Sequence, residues 1–181
     1  MQIIAISGSL RKKSYNTGLL RACAALAPGM SIEILDISML PVFNQDNEET
    51  HFPAEVLEMR TKIANADGVI IATPEFNRTP SGSLKNFIDW SSRPESEPLP
   101  WNQKPVAILG ASTGPRGASF AQYDVRRVMD YFNARVMGQP EVYVGLAASK
   151  FDADSNLSDE KTKEVLKKFL DAFTAHVGQT T

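Results

Sequence analysis

The sequence predicts an α/β fold, a three-layer α/β/α sandwich around a five-stranded parallel sheet, and three observations carry that expectation. Apolar strand-like runs alternate with helix-period segments along the 181 residues. The third and fourth runs, Gly68-Val69-Ile70-Ile71-Ala72-Thr73 and Val106-Ala107-Ile108-Leu109-Gly110, are continuously apolar, as strands buried on both faces of a parallel sheet should be. Such strands need helices on both sides, and the segments between them supply the helical pattern.

Taken in order, strand one covers 2–6 and leads through Gly8-Ser9-Leu10-Arg11-Lys12-Lys13-Ser14-Tyr15-Asn16 into a helix over 15–27. Strand two covers 31–35, and an irregular stretch from Pro41 to Pro53 precedes a helix over 54–66. Strand three, 68–73, feeds a helix over 81–92, after which Pro94, Pro98 and Pro100 mark a loop running to Gln103. Strand four, 104–111, is followed by a helix over 119–133, and strand five, 139–144, by a last helix over 159–177. In that helix Val165, Leu166, Phe169, Leu170, Phe173 and Val177 form one apolar stripe, with Ser158-Asp159-Glu160 as cap and first turn. With 43% hydrophobic residues, a chain of this length builds one sizeable core, so residues 1–181 are expected to be a single domain.

Composition narrows the partners. A net charge of −2 offers no field for nucleic acid. No apolar run approaches the roughly 18 residues that cross a bilayer, and the chain enters a strand without a charged leader, which predicts a cytoplasmic protein with no membrane insertion. Cys23 is the only cysteine and is expected to pack inside a helix. His51 and His176 lie far from each other and from any cluster of ligand type, so no metal site is expected and both are assigned to the surface.

In a doubly wound sheet, ligands bind outside the carboxyl ends of the strands, where the loops after strands one, three and four share a crevice. In the first, Ser9, Ser14, Asn16, backbone N–H groups and the fixed cation Arg11 can converge on a phosphate dianion where a helix begins. The same residues would also serve an ordinary βα turn in which Ser14 and Asn16 cap the helix. In the second, Thr73-Pro74-Glu75-Phe76-Asn77-Arg78-Thr79-Pro80 is stiffened by two prolines and can hold a planar ligand. In the third, Gly110-Ala111-Ser112-Thr113-Gly114-Pro115-Arg116-Gly117 carries small side chains that let backbone amides approach a ring carbonyl. Each of the latter two can be a plain turn, but three such loops at equivalent strand ends point to one site.

Together these blocks, with Leu84-Lys85-Asn86, Ile88-Asp89-Trp90, Arg93-Pro94 and Gln122-Tyr123…Arg126, resemble the NADPH-dependent FMN reductase family over roughly residues 1–150. The resemblance implies a flavodoxin-like fold, FMN as bound cofactor, NADPH as reductant, and a quinone, flavin, azo compound or metal oxyanion as small-molecule electron acceptor. By the same resemblance Ser9, Arg11, Ser14 and Asn16 hold the FMN 5′-phosphate beside Leu10 and Thr17. Pro74, Glu75, Phe76 and Asn77 lie along the isoalloxazine, and Ser112, Thr113 and Gly114 approach its pyrimidine side. The family usually has tyrosine where Phe76 stands, which bears on substrate preference. No side-chain acid or base is required, and Glu75 is read as a neighbour of the ring and not a proton donor. Arg78 and Arg116 flank the crevice, either to meet the NADPH 2′-phosphate or as solvated surface residues. A homodimer or homotetramer is implied, with Trp90 and Trp101 offering either an interface patch or core. The rival reading is a flavodoxin-type FMN electron carrier, against which stand the near-neutral surface and the cation in the phosphate loop.

Overall fold

In the computed structural model, which describes residues 1–179, the first apolar run forms β1 (Gln2–Ser7) and β2 (Ser31–Leu35) pairs with it in parallel. On the other side of β1 lie β3 (Gly68–Ala72) and then β6 (Pro105–Ala111), so the order runs β2-β1-β3-β6. Two minor strands, β4 (Glu75–Phe76) and β5 (Thr79–Pro80), form a separate hairpin. The chain reverses its direction of winding between β1 and β3, the switch point of a flavodoxin-like sheet.

Side-chain alternation explains the layers. On β1, Ile3 and Ala5 face one side and Ile4 and Ile6 the other, and β3 and β6 repeat the split with Ile70, Ala72, Ala107 and Leu109 against Val69, Ile71, Val106 and Ile108. The first face is covered by α1 (Tyr15–Leu26) and α6 (Glu160–Val177), through Leu19, Leu20, Cys23, Leu166, Phe169, Leu170 and Phe173. The second is covered by α3 (Ala54–Asn65), α4 (Gly82–Ser91) and α5 (Ser119–Tyr131), through Ile63, Leu84, Phe87, Ile88, Val125 and Met129. Each large side chain buried this completely stabilises the fold by about 1.5–3 kcal/mol. The stripe of α6 is narrower than expected, because Val165 stands 44% exposed beside the buried Leu166. Asp159 caps α6 by accepting from the Thr162 N–H at 2.8 Å.

Three expectations are corrected. The fifth strand does not run over 139–144, because Pro140 has no N–H to give a ladder. Instead β7 (Arg135–Val136) pairs with the start of β6, β8 (Val142–Val144) pairs with its end, and Met137–Glu141 loops out between them. Both lie along the same edge, so the sheet has six strands in five positions. The stretch Pro41–Pro53 contains a short polar helix, α2 (Gln45–Thr50), capped by Asn44. His176 is half-buried, its ring bonded at 2.7 Å to the Arg135 carbonyl, whereas His51 is exposed as expected. Cys23 is fully buried, and burial pushes its thiol up to about 12. Among the described residues no helix is long and apolar enough to cross a membrane.

Candidate functional site

The three expected loops leave the carboxyl ends of β1, β3 and β6, which are neighbours, and therefore meet. The first and second are tied together at Gly8. Its N–H donates to the Ala72 carbonyl at 2.8 Å, and its own carbonyl accepts from the hydroxyls of Ser81 and Ser83. A Cβ on Gly8 would sit 2.9 Å from Pro74 Cδ and 3.0 Å from Leu84 Cβ, so the close approach requires glycine.

In the first loop Ser14 is the N-cap of α1, its Oγ accepting from the Thr17 N–H at 3.2 Å. Its hydroxyl hydrogen, and the first-turn N–H groups of Tyr15 and Asn16, have no intrahelical partner. Ser7, at the end of β1, is the hub that sequence reasoning missed. Its Oγ accepts from the Thr17 hydroxyl at 2.8 Å and from the Ser9 N–H at 3.3 Å. A polar residue closing an otherwise apolar strand beside the loop was the available signal. Asn16 is buried and clamps the loop to β6: Nδ2 donates to the Ala111 carbonyl at 3.1 Å and Oδ1 accepts from the Ala111 N–H at 2.9 Å. Leu10 and Arg11 are exposed, and the Arg11 guanidinium lies 5.6 Å from the Tyr15 ring centre. A groove of about 310 Å³ runs alongside, lined by Ser9, Leu10, Arg11, Thr17, Asp36 and Ser38. Hydrogen bonds from Ser38 hold the Asp36 carboxyl below the usual carboxylate range, so an anion lines the groove just after β2.

The second loop buries Pro74 and then turns outward as the β4/β5 hairpin, with Asn77 and Arg78 both at positive φ, 52° and 70°. This is the geometry of a two-residue hairpin turn whose twist matches its strands. Phe76 projects from it, 60% exposed. Glu75 points the other way, its Oε2 accepting from the backbone N–H groups of Phe120 and Ala121 at 2.9 and 3.2 Å. Because the N-cap of α5, Ala118, has no polar side chain, Glu75 supplies the missing acceptor and a charge that suits the positive end of the helix. This ties the second loop to the third.

The third loop is fixed through its carbonyls. Ser112 O accepts from Ala147 N–H and Gly114 O from Leu146 N–H, both at 3.0 Å, while Ser112 N–H donates to Val144 O. Gln122 is fully buried, its Nε2 donating to the carbonyls of Gly117 and Val142 at 3.2 and 3.0 Å. Gly117 sits at φ 58°, where a Cβ would come within 2.4 Å of the Tyr143 backbone. With the carbonyls engaged, the N–H groups of Thr113 and Gly114 find no acceptor among the described residues. They are the donors this loop presents.

The structure thus gathers residues 9–17, 74–78 and 112–114 at one end of the sheet. It does not place Trp90 and Trp101 on a surface patch: both are fully buried. Trp90 Nε1 and Asn86 Nδ2 each donate to the Pro41 carbonyl and so strap the segment after β2 onto α4.

Comparison with known proteins places the chain beside flavin-dependent reductases. The sequence model of the NADPH-dependent FMN reductase family matches residues 1–149. The chain is 42% identical to an NAD(P)H-dependent FMN reductase of Pseudomonas aeruginosa over 95% of this chain and 92% of that one. It is 40% identical to a 2-hydroxy-1,4-benzoquinone reductase of a Burkholderia species over 98% of this chain and 96% of the other. Among solved structures, the flavoenzyme NAD(P)H:(acceptor) oxidoreductase FerB of Paracoccus denitrificans superposes with a TM-score of 0.88 at 36% identity, covering 97% of this chain and 96% of that one.

Proposed function

This chain belongs to the NADPH-dependent FMN reductase family, and we propose that it is an FMN-dependent NAD(P)H oxidoreductase acting on a small-molecule acceptor: a quinone, flavin, azo compound or metal oxyanion. The observation that carries this is the donor set itself. The loop after β1 carries hydroxyls, unpaired first-turn N–H groups and the exposed Arg11 guanidinium, and the loop after β6, at a nearby strand end, carries backbone N–H groups whose neighbouring carbonyls are engaged. The first group fits a phosphate and the second the polar edge of a planar ring.

When bound, FMN supplies the two-electron chemistry, accepting hydride from NADPH and reducing the acceptor in turn. The chain's own residues bind and orient. Arg11, Ser9, Ser14 and the N–H of Asn16 hold the 5′-phosphate, with Leu10 and Thr17 beside it. The Asn16 side chain, engaged with Ala111, positions that donor set against β6. Pro74, Glu75, Phe76 and Asn77 flank the ring, and Arg78 follows them at the rim. The N–H groups of Thr113 and Gly114 would hold developing negative charge on the pyrimidine edge with preoriented dipoles, while Ser112, its N–H given to Val144 and its hydroxyl to Gly114, fixes the loop beside them. Glu75 is committed to the end of α5 and moves no proton. The whole of 1–181 acts as one FMN-binding domain in the cytoplasm. The assembly is a homodimer or homotetramer, and the exposed Phe76 and Tyr123 are its candidate contact surface.

The test is anaerobic: NADPH is added to protein loaded with FMN and the visible absorbance of the oxidised flavin is followed. Bleaching, reversed by a quinone, is the expected result. Flavin that stays oxidised until a chemical reductant is added would instead make the protein an electron carrier.

A further inference from the structure

Phe120, near the start of α5, carries a guanidinium against its ring from each of two loops. The Arg78 Cζ lies 4.8 Å and the Arg116 Cζ 5.9 Å from the ring centroid. Arg78 arrives from the β4/β5 turn and Arg116 from the loop after β6, so separate segments bring two cations to one half-exposed ring at the rim of the crevice. The ring attracts each cation but supplies neither with a counter-charge. Neither arginine forms an ion pair among the described residues. The adjacent carboxylate, Glu75, has Oε2 engaged with the N–H groups of Phe120 and Ala121. Arg78 also occupies φ 70° in a turn position where glycine is favoured. A long cation kept on strained backbone at the mouth of a site points to a role in binding.

We infer that Arg78 and Arg116, held against Phe120, form the subsite for the 2′-phosphate of NADPH and set the preference for NADPH over NADH. This rests on the reading that the crevice oxidises a nicotinamide nucleotide. A phosphomonoester carries about −1.5 to −2 charge at neutral pH and suits the guanidinium fork. It supplies the counter-charge that both arginines lack, whereas NADH brings only a neutral hydroxyl to the same point.

The experiment titrates adenosine 2′,5′-bisphosphate and adenosine 5′-monophosphate into the FMN-loaded protein by calorimetry, alongside kcat/KM for NADPH and NADH. The bisphosphate is expected to bind at least tenfold more tightly, and Arg78→Ala and Arg116→Ala each to remove about tenfold of that discrimination. Phe120→Leu should remove about threefold, since the cations remain but their platform is gone. Arg78→Gly suits the turn better, so its Tm should rise while discrimination falls as in Arg78→Ala, a pair of changes that misfolding cannot produce. Equal binding of the two probes, or discrimination unmoved in the arginine variants, would overturn the subsite even if both nucleotides bleach the flavin. If neither nucleotide bleaches it, the oxidoreductase reading is overturned instead, with the titration still deciding the subsite.

Discussion

The loops after β1 and β6 face the same crevice and are held in opposite ways. In the first, buried side chains do the anchoring, through Ser7, Ser14 and Asn16, and an exposed guanidinium projects from the backbone. In the third, the backbone itself is tied down by the carbonyls of Ser112, Gly114 and Gly117, which leaves N–H groups outward. The difference teaches that one crevice can present an adjustable charge on one side and fixed dipoles on the other. On the proposed reading, a phosphate would be met by a charge that can adjust, and a ring whose charge changes during reaction by dipoles that cannot.

The comparison breaks most visibly at Gly117. Its positive φ and the 2.4 Å approach to Tyr143 predict that Gly117→Ala loses about 3 kcal/mol of stability, read by denaturant unfolding, and with it FMN retention. A loss below about 1 kcal/mol would mean that the third loop is not rigid. Next is Asn16, which joins the two loops. Asn16→Ala leaves the Ala111 N–H and carbonyl buried without partners, and should lose about 2 kcal/mol while weakening both ends of the site together. The smallest effect sharpens the contrast: Arg11→Ala should leave the Tm of the cofactor-free protein where it was and raise the FMN Kd about tenfold. That FMN affinity should also respond less steeply to salt, because the exposed charge it removes is the screened one. A fall in Tm without a change in Kd would make Arg11 structural.

The same contrast explains what could be read from the sequence. The main strands and five main helices were legible because apolar spacing is local, and the three loops because Gly, Pro and hydroxyl residues mark strand ends. Elements too short to show a period were not: Arg135–Val136 offers two residues, the hairpin at 75–80 turns on Asn77-Arg78 without the usual glycine, and Gln45–Thr50 is polar all round. Val165 fitted the helical stripe, yet faces outward, 44% exposed beside the buried Leu166. The ties that shape the site were illegible for another reason. Glu75 to α5, Asn16 to Ala111 and Gln122 to Val142 join residues far apart in sequence, and no local spacing encodes such pairs.

The interruption of the sheet edge between β7 and β8 has a bearing on solubility. An open edge invites strands from other molecules, and long flat ones nucleate fibrils. Here an arriving strand would meet two residues of ladder, then the excursion through Pro140, then three more. No register continues long enough to template growth, so this flank of the molecule is closed to intermolecular sheet extension even where the chain is concentrated.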